Sequence, residues 1–200
     1  ASFDSLLTAL AGATSFAVLD YYTHANVGYR NVEAVNWTAG AGDDLLVYQG
    51  GTRYDGGEGN DTFYADFSGT AQAVNWDVDA QSFSKVDGVT VANIERLLLA
   101  TGSGNDLIRA VSGGLSHHVE TGAGNDTVEL GAGSDYVDGG AGDDTIKTGA
   151  GSDTVHAGSG DDVIDAGRGH GDIDGGGGFD TLSFDLSDQF GQLRLDVGLA

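Results

Sequence analysis

From Thr121 onward the apolar positions recur once in every nine residues, at Val128, Val137, Ile146, Val155, Ile164, Ile173 and Leu182, in a register that never slips. Neither the 3.6-residue period of an amphipathic helix nor the strict alternation of a half-buried strand produces this spacing. The six residues ahead of each aliphatic are dominated by Gly, Asp and Asn, which predicts a turn. The three residues centred on the aliphatic predict a minimal strand. Two such halves close one coil of a solenoid, so the tract predicts an all-β fold built from repeats.

Within each nonapeptide the polar positions are as regular as the apolar ones. Glycine holds the second and fourth places, at Gly122 and Gly124, Gly131 and Gly133, Gly140 and Gly142, Gly149 and Gly151, Gly158 and Gly160, Gly167 and Gly169, and Gly176 and Gly178. Aspartate holds the sixth, at Asp126, Asp135, Asp144, Asp153, Asp162 and Asp180, and only Gly171 breaks the series. Single copies recur upstream with Asp44, Asp61 and Asp106 in the same place, and residues 50–55 read as a degenerate copy in which Arg53 replaces a glycine.

A longer period lies over the short one. Residues 27–46 (VGYRNVEAVNWTAGAGDDLL) align with residues 89–108 (VTVANIERLLLATGSGNDLI), and residues 61–78 with residues 180–197. The layout is then a partial unit at 1–38, a short repeat block at 39–64, an intervening strand segment at 65–100, the main roll at 101–183 and a further unit begun at 184–200. Residues 73–78 and 89–99 predict longer strands, and residues 5–11 a short helix.

Composition narrows the chemistry. The 35 glycines with no proline belong to something periodic rather than to a linker, and 26 of the 31 acidic residues are Asp. Aspartate suits turns and short-armed coordination of hard cations better than Glu does. A formal net charge of −23 with eight Lys and Arg leaves no basic stripe for nucleic acid and disfavours an anionic membrane surface. No apolar run is long enough for a transmembrane helix. Without cysteine, any staple must come from oxygen ligands. The lack of methionine and the truncated last unit predict a longer parent chain.

Calcium takes six to eight oxygens in irregular geometry. Glycine at two fixed places lets several carbonyls of one loop point to one spot, and the sixth-place Asp adds charge on a short arm. A polar turn without metal does not demand that pattern. Loops on the same side lie two repeats apart, so the first residues 121 and 139, 139 and 157, 157 and 175, 130 and 148, and 148 and 166 mark the expected neighbours, with several ions between them. The last pair is expected to be weak because of Gly171. One aliphatic per nine residues cannot offset the entropy of ordering them, and stacked carboxylates repel, so metal binding and folding are expected to be one event.

These nonapeptides, GGAGDDTIK from Gly139 and GGEGNDTFY from Gly56 among them, resemble the repeats-in-toxin family of hemolysin-type calcium-binding repeats. The resemblance implies a right-handed parallel β-roll, Ca²⁺ held by sixth-place carboxylates and loop carbonyls, and export by a bacterial type I system with folding outside the cell. Parent proteins of such modules include secreted enzymes, adhesins and surface-layer proteins.

The remaining chemistry-bearing residues read as structural. His117 and His118 lack a third zinc ligand and are expected at the solvent or on an edge strand. Serines beside glycines are not in a nucleophile elbow, and Asp43, Asn60, Asn125, Asp143 and Asp161 are expected to be solvated. Trp37 and Trp76 are expected to pack in the core, the alternative being a surface of Trp37, Tyr48, Tyr54 and Trp76 for a glycan or another surface partner. The chain itself predicts a non-enzymatic, calcium-binding module, and the resemblance implies an extracellular one.

Overall fold

The computed structural model describes residues 17–18, 36–48, 53–77, 82–84, 89–185 and 187. The expected helix at 5–11 and most of the unit begun at 184–200 lie outside them. From residue 96 to 183 the chain alternates between two sheets, one strand to each per coil. One sheet receives Arg96–Ala100, His118–Glu120, Tyr136–Asp138, Ala150–His156 and Arg168–Asp174; the other receives Leu107–Ala110, Thr127–Leu130, Thr145–Lys147, Val163–Asp165 and Thr181–Ser183. The strands stack in parallel, as Val128 on Ile146 and Val137 on Val155. The fold is an all-β parallel solenoid, with no helix among the described residues.

The first sheet continues upstream through Thr62–Asp66 and Asp44–Val47 to Ala17–Val18, while the second reaches Asn75–Asp77. That last strand pairs antiparallel with Ser82–Ser84. A three-stranded sheet of Asn36–Thr38, Arg53–Asp55 and Thr90–Ala92 completes the upstream coils. Residues 53–55 are thus a strand rather than part of a degenerate turn, because Arg53 has a β-carbon and lies in register with Asn36 and Thr90.

The core changes character along the axis. Downstream, Val119, Val128, Val137, Ile146, Val155 and Ile164 each fill one half-coil and are fully or almost fully buried. Upstream, Tyr54 packs edge-on to Phe63 at 5.0 Å between ring centres, and Phe63 lies 5.0 Å from Trp76. Trp37 stacks on Tyr54 at 6.3 Å. Trp76 is 2 % and Tyr54 1 % exposed, so the expected core packing holds for Trp76 and neither ring is available to an outside partner.

Candidate metal centre

Each Gly/Asp turn is held against the turn one coil away by main-chain hydrogen bonds. Ala141 N–H donates to Gly122 O, Ser159 to Gly140 O and Gly177 to Gly158 O, all at 2.8 Å. The upstream copies stack in the same way. Ala123 N–H donates to Gly102 O at 2.8 Å, and Glu58 N–H to Gly40 O at 3.1 Å. Close stacking is what the glycines permit: Gly140 sits at φ 93° and Gly142 at φ 135°, and a Cβ on either would overlap the carbonyl of Gly122 or Gly124. Gly131 and Gly169 have ordinary φ, and in them it is proximity to Val111 O and Gly151 O that excludes a side chain.

The sixth-place aspartates form two ladders. On one side of the roll, Asp106 N–H donates to Asp126 Oδ1 at 2.7 Å, Asp126 to Asp144 at 2.8 Å, Asp144 to Asp162 at 2.8 Å and Asp162 to Asp180 at 3.1 Å. On the other, Asp44 donates to Asp61 at 2.8 Å and Asp135 to Asp153 at 3.0 Å. All but the terminal Asp180 are buried. One oxygen of each accepting aspartate is thereby used, and Gly40, Val74 and His117 donate their N–H groups to one oxygen of Asp44, Asp106 and Asp135, whereas Oδ2 of Asp61, Asp106, Asp126, Asp135, Asp144 and Asp162 is buried with no partner.

Charge compounds the deficit. None of the ion pairs among the described residues involves a ladder aspartate. Burial, reinforced by neighbouring carboxylates, pushes Asp61, Asp126 and Asp135 up to about 6 and Asp144 up to about 7. A buried row of acceptor-only groups without countercharge costs several kcal/mol per ion, roughly, unless a cation compensates it. No three His, Asp or Glu side chains converge on one point among the described residues. The ladder carboxylates and the carbonyls of the glycine turns are hard oxygen donors, the kind of set that suits Ca²⁺.

The family pattern of the RTX calcium-binding nonapeptide repeat matches the chain four times, at residues 47–67, 118–146, 138–173 and 147–182. Over residues 47–67 and 118–182 the chain is made of RTX calcium-binding repeats. A comparison with curated proteins gave no match. The RTX repeats of the matched stretches carry Asp61, Asp126, Asp135, Asp144, Asp153, Asp162 and Asp180, while Asp44 and Asp106 lie outside them and join the ladders through geometry alone.

Several expectations need correction. His117 and His118 are 3 % and 7 % exposed, and His118 opens a strand with neighbours on both sides. His117 occupies the ladder place itself. Its N–H donates to Asp135 Oδ1 at 2.7 Å and its Nδ1 accepts the Leu97 N–H at 3.1 Å. The signal lay in the sequence: carrying the register one unit upstream makes residues 112–120 a nonapeptide with Gly113 second, His117 sixth and Val119 eighth. His118 stacks on Tyr136 at 4.3 Å and bonds Glu120 at 2.9 Å.

The fifth-place residues Asn60, Asn125, Asp143 and Asp161 are exposed, as expected, and Asp43 is half-buried, but they are not idle. Asp143 N–H donates to Asn125 Oδ1 at 3.1 Å, and Asp161 N–H to Asp143 Oδ1 at 2.9 Å. This outer ladder runs opposite to the inner one. Gly171 lies in register with Asp153 inside the continuous pairing of Ala150–His156 with Arg168–Asp174. A Cβ there would come within 2.6 Å of Asp153 O, so the backbone has closed over the place where a carboxylate would stand.

Proposed function

We propose that this RTX chain is a calcium-folded structural module of a larger, type I-secreted bacterial protein, and that it takes up several Ca²⁺ ions between stacked turns on the same side of the roll. The observation that carries this reading is the row of buried Oδ2 atoms without partners, each on a carboxylate whose Oδ1 is already engaged. Asp106, Asp126, Asp144, Asp162 and Asp180 would serve one side, and Asp44, Asp61, Asp135 and Asp153 the other, with carbonyls of the glycine turns completing each set. Bound calcium supplies the positive charge that the protein does not.

The chain's own contribution is placement. Main-chain bonds between turns hold successive carboxylates in line, and the aliphatic stack fixes their spacing near the interstrand distance of about 4.8 Å. Without metal the carboxylates repel and the thin downstream core does not compensate, so the downstream coils are unfolded at the low calcium inside a cell and fold in the millimolar calcium outside. The test is a titration of Ca²⁺ into metal-free chain, following far-UV circular dichroism and bound ions together, with Mg²⁺ as control. Cooperative gain of β-structure with several ions bound supports the reading. Full β-structure in excess chelator at neutral pH, or no bound calcium, overturns it.

A further inference from the structure

The ladder on the Asp61 side contains a member that no nonapeptide supplies. Asp61 N–H donates to Glu95 Oε2 at 2.8 Å, the same kind of bond that Asp44, Asp106, Asp126, Asp135, Asp144 and Asp162 make to the carboxylate one coil on. Glu95 N–H in turn donates to Asp61 O at 3.0 Å, and the two residues sit side by side ahead of the paired strands Thr62–Asp66 and Arg96–Ala100. Glu95 lies outside every stretch matched by the repeat family.

The turn that delivers it is half the usual length. Residues 93–95 replace the six-residue Gly/Asp turn, and Asn93 makes the tight reversal at φ 53°, the one non-glycine residue with positive φ among those described. Its side-chain amide donates to Asp55 Oδ1 at 2.7 Å, which anchors the reversal beside the glycine turn at 56–61. Asparagine tolerates this backbone better than other non-glycine residues do.

The inner face of that turn repeats the geometry of a regular coil. At Gly139 a Cβ would lie 2.6 Å from Asp144 Oδ2 and 2.5 Å from the carbonyl of Ala157, the first residue of the next turn on that side. At Gly56 the corresponding Cβ would overlap Asp61 Oδ2 and the carbonyl of Asn93. Asp61 is wholly buried and its Oδ2 has no partner. A partnerless carboxylate oxygen and a carbonyl thus converge beside a second carboxylate, without a Lys or Arg paired to either acid.

We propose that Asn93-Ile94-Glu95 is a compressed calcium turn, and that Asp61, Glu95 and the Asn93 carbonyl hold a Ca²⁺ ion between it and the turn at 56–61. The proposal rests on the calcium-folded reading above. The extra methylene of Glu95 carries its carboxylate to the position an Asp Oδ1 takes in a full-length turn.

The test compares the intact chain with Glu95→Gln, which keeps an oxygen to accept the Asp61 N–H and removes the charge, and with Glu95→Asp, which keeps the charge and shortens the reach. Bound calcium is counted by equilibrium dialysis and atomic emission at saturating Ca²⁺, after circular dichroism has confirmed the fold. The expected result is one ion fewer in Glu95→Gln, or one ion bound about tenfold or more weakly, with an intermediate loss in Glu95→Asp. Unchanged stoichiometry and affinities in both folded variants overturn the proposal while leaving the calcium-folded reading intact. An unsubstituted chain that binds no calcium overturns both.

Discussion

The main-chain N–H of Asp126 donates to Oδ1 of Asp144 at 2.8 Å, and Oδ2 of Asp144 is buried with no partner. One carboxylate thus does two jobs, tying coils together through one oxygen and presenting the other for a cation. Asp144→Asn separates them, since the amide oxygen still accepts the Asp126 N–H while the charge is gone. The expected outcome is a folded chain at high calcium whose folding midpoint moves to at least about tenfold higher Ca²⁺, equivalent to about 1.4 kcal/mol. A calcium titration followed by circular dichroism reads it, and an unmoved midpoint would show that Asp144 holds no ion.

The raised carboxyls give the metal-free chain a pH dependence of definite sign. Burial sets Asp126 and Asp135 at about 6 and Asp144 at about 7 in the folded state, against an ordinary value of 3.8. The folded chain therefore binds more protons than the unfolded one between those values, so its stability is greatest near pH 4 and declines as pH rises towards 7. In calcium-free buffer β-structure should appear on acidification and be lost on return to neutrality. Saturating calcium should flatten the curve, because the cation replaces the protons. A metal-free chain whose circular dichroism is the same at pH 4 and pH 7 contradicts this.

Much of this arrangement was legible in the sequence, for reasons of period. Asp126 to Asp144 and Val128 to Ile146 are one coil apart in a register without insertions, so turn, strand and ladder partner followed from counting. The rest was hidden where length varies. Asp61 and Glu95 are neighbours across 34 residues, and Val74 and Asp106 across 32, because the strands Ser82–Ser84 and Thr90–Ala92 are added within that stretch of chain. The ladder place of His117 was hidden for a chemical reason. An imidazole at the sixth place keeps the acceptor role of Asp while discarding its charge, and a search for carboxylates passes over it.

His117 supplies a way to separate ladder bonding from metal binding. Burial and the nearby Arg96 guanidinium hold its imidazole down at about 4, so it is neutral at pH 7 with Nδ1 free to accept the Leu97 N–H. His117→Ala leaves that buried N–H without a partner, which costs about 1–3 kcal/mol. Stability at saturating calcium should fall accordingly in chemical denaturation, with the number of bound ions unchanged. Loss of an ion in this variant would mean that His117 is itself part of a site.

The two tryptophans allow the upstream coils to be watched separately from the calcium ladder downstream. Trp37 and Trp76 both belong to the aromatic cluster with Tyr54 and Phe63, whereas the coils from residue 118 to 183 contain no tryptophan. A buried aromatic removes about 150–250 Å² from water, well beyond what one Val or Ile per half-coil contributes. The upstream cluster should therefore hold together at calcium levels where the downstream coils have already opened. Chelation at pH 7 is expected to reduce the far-UV β-signal strongly while tryptophan emission stays blue-shifted, with the emission moving red only in added denaturant. Coincident loss of both signals on chelation would instead show that the aromatic coils depend on calcium as fully as the aspartate ladder does.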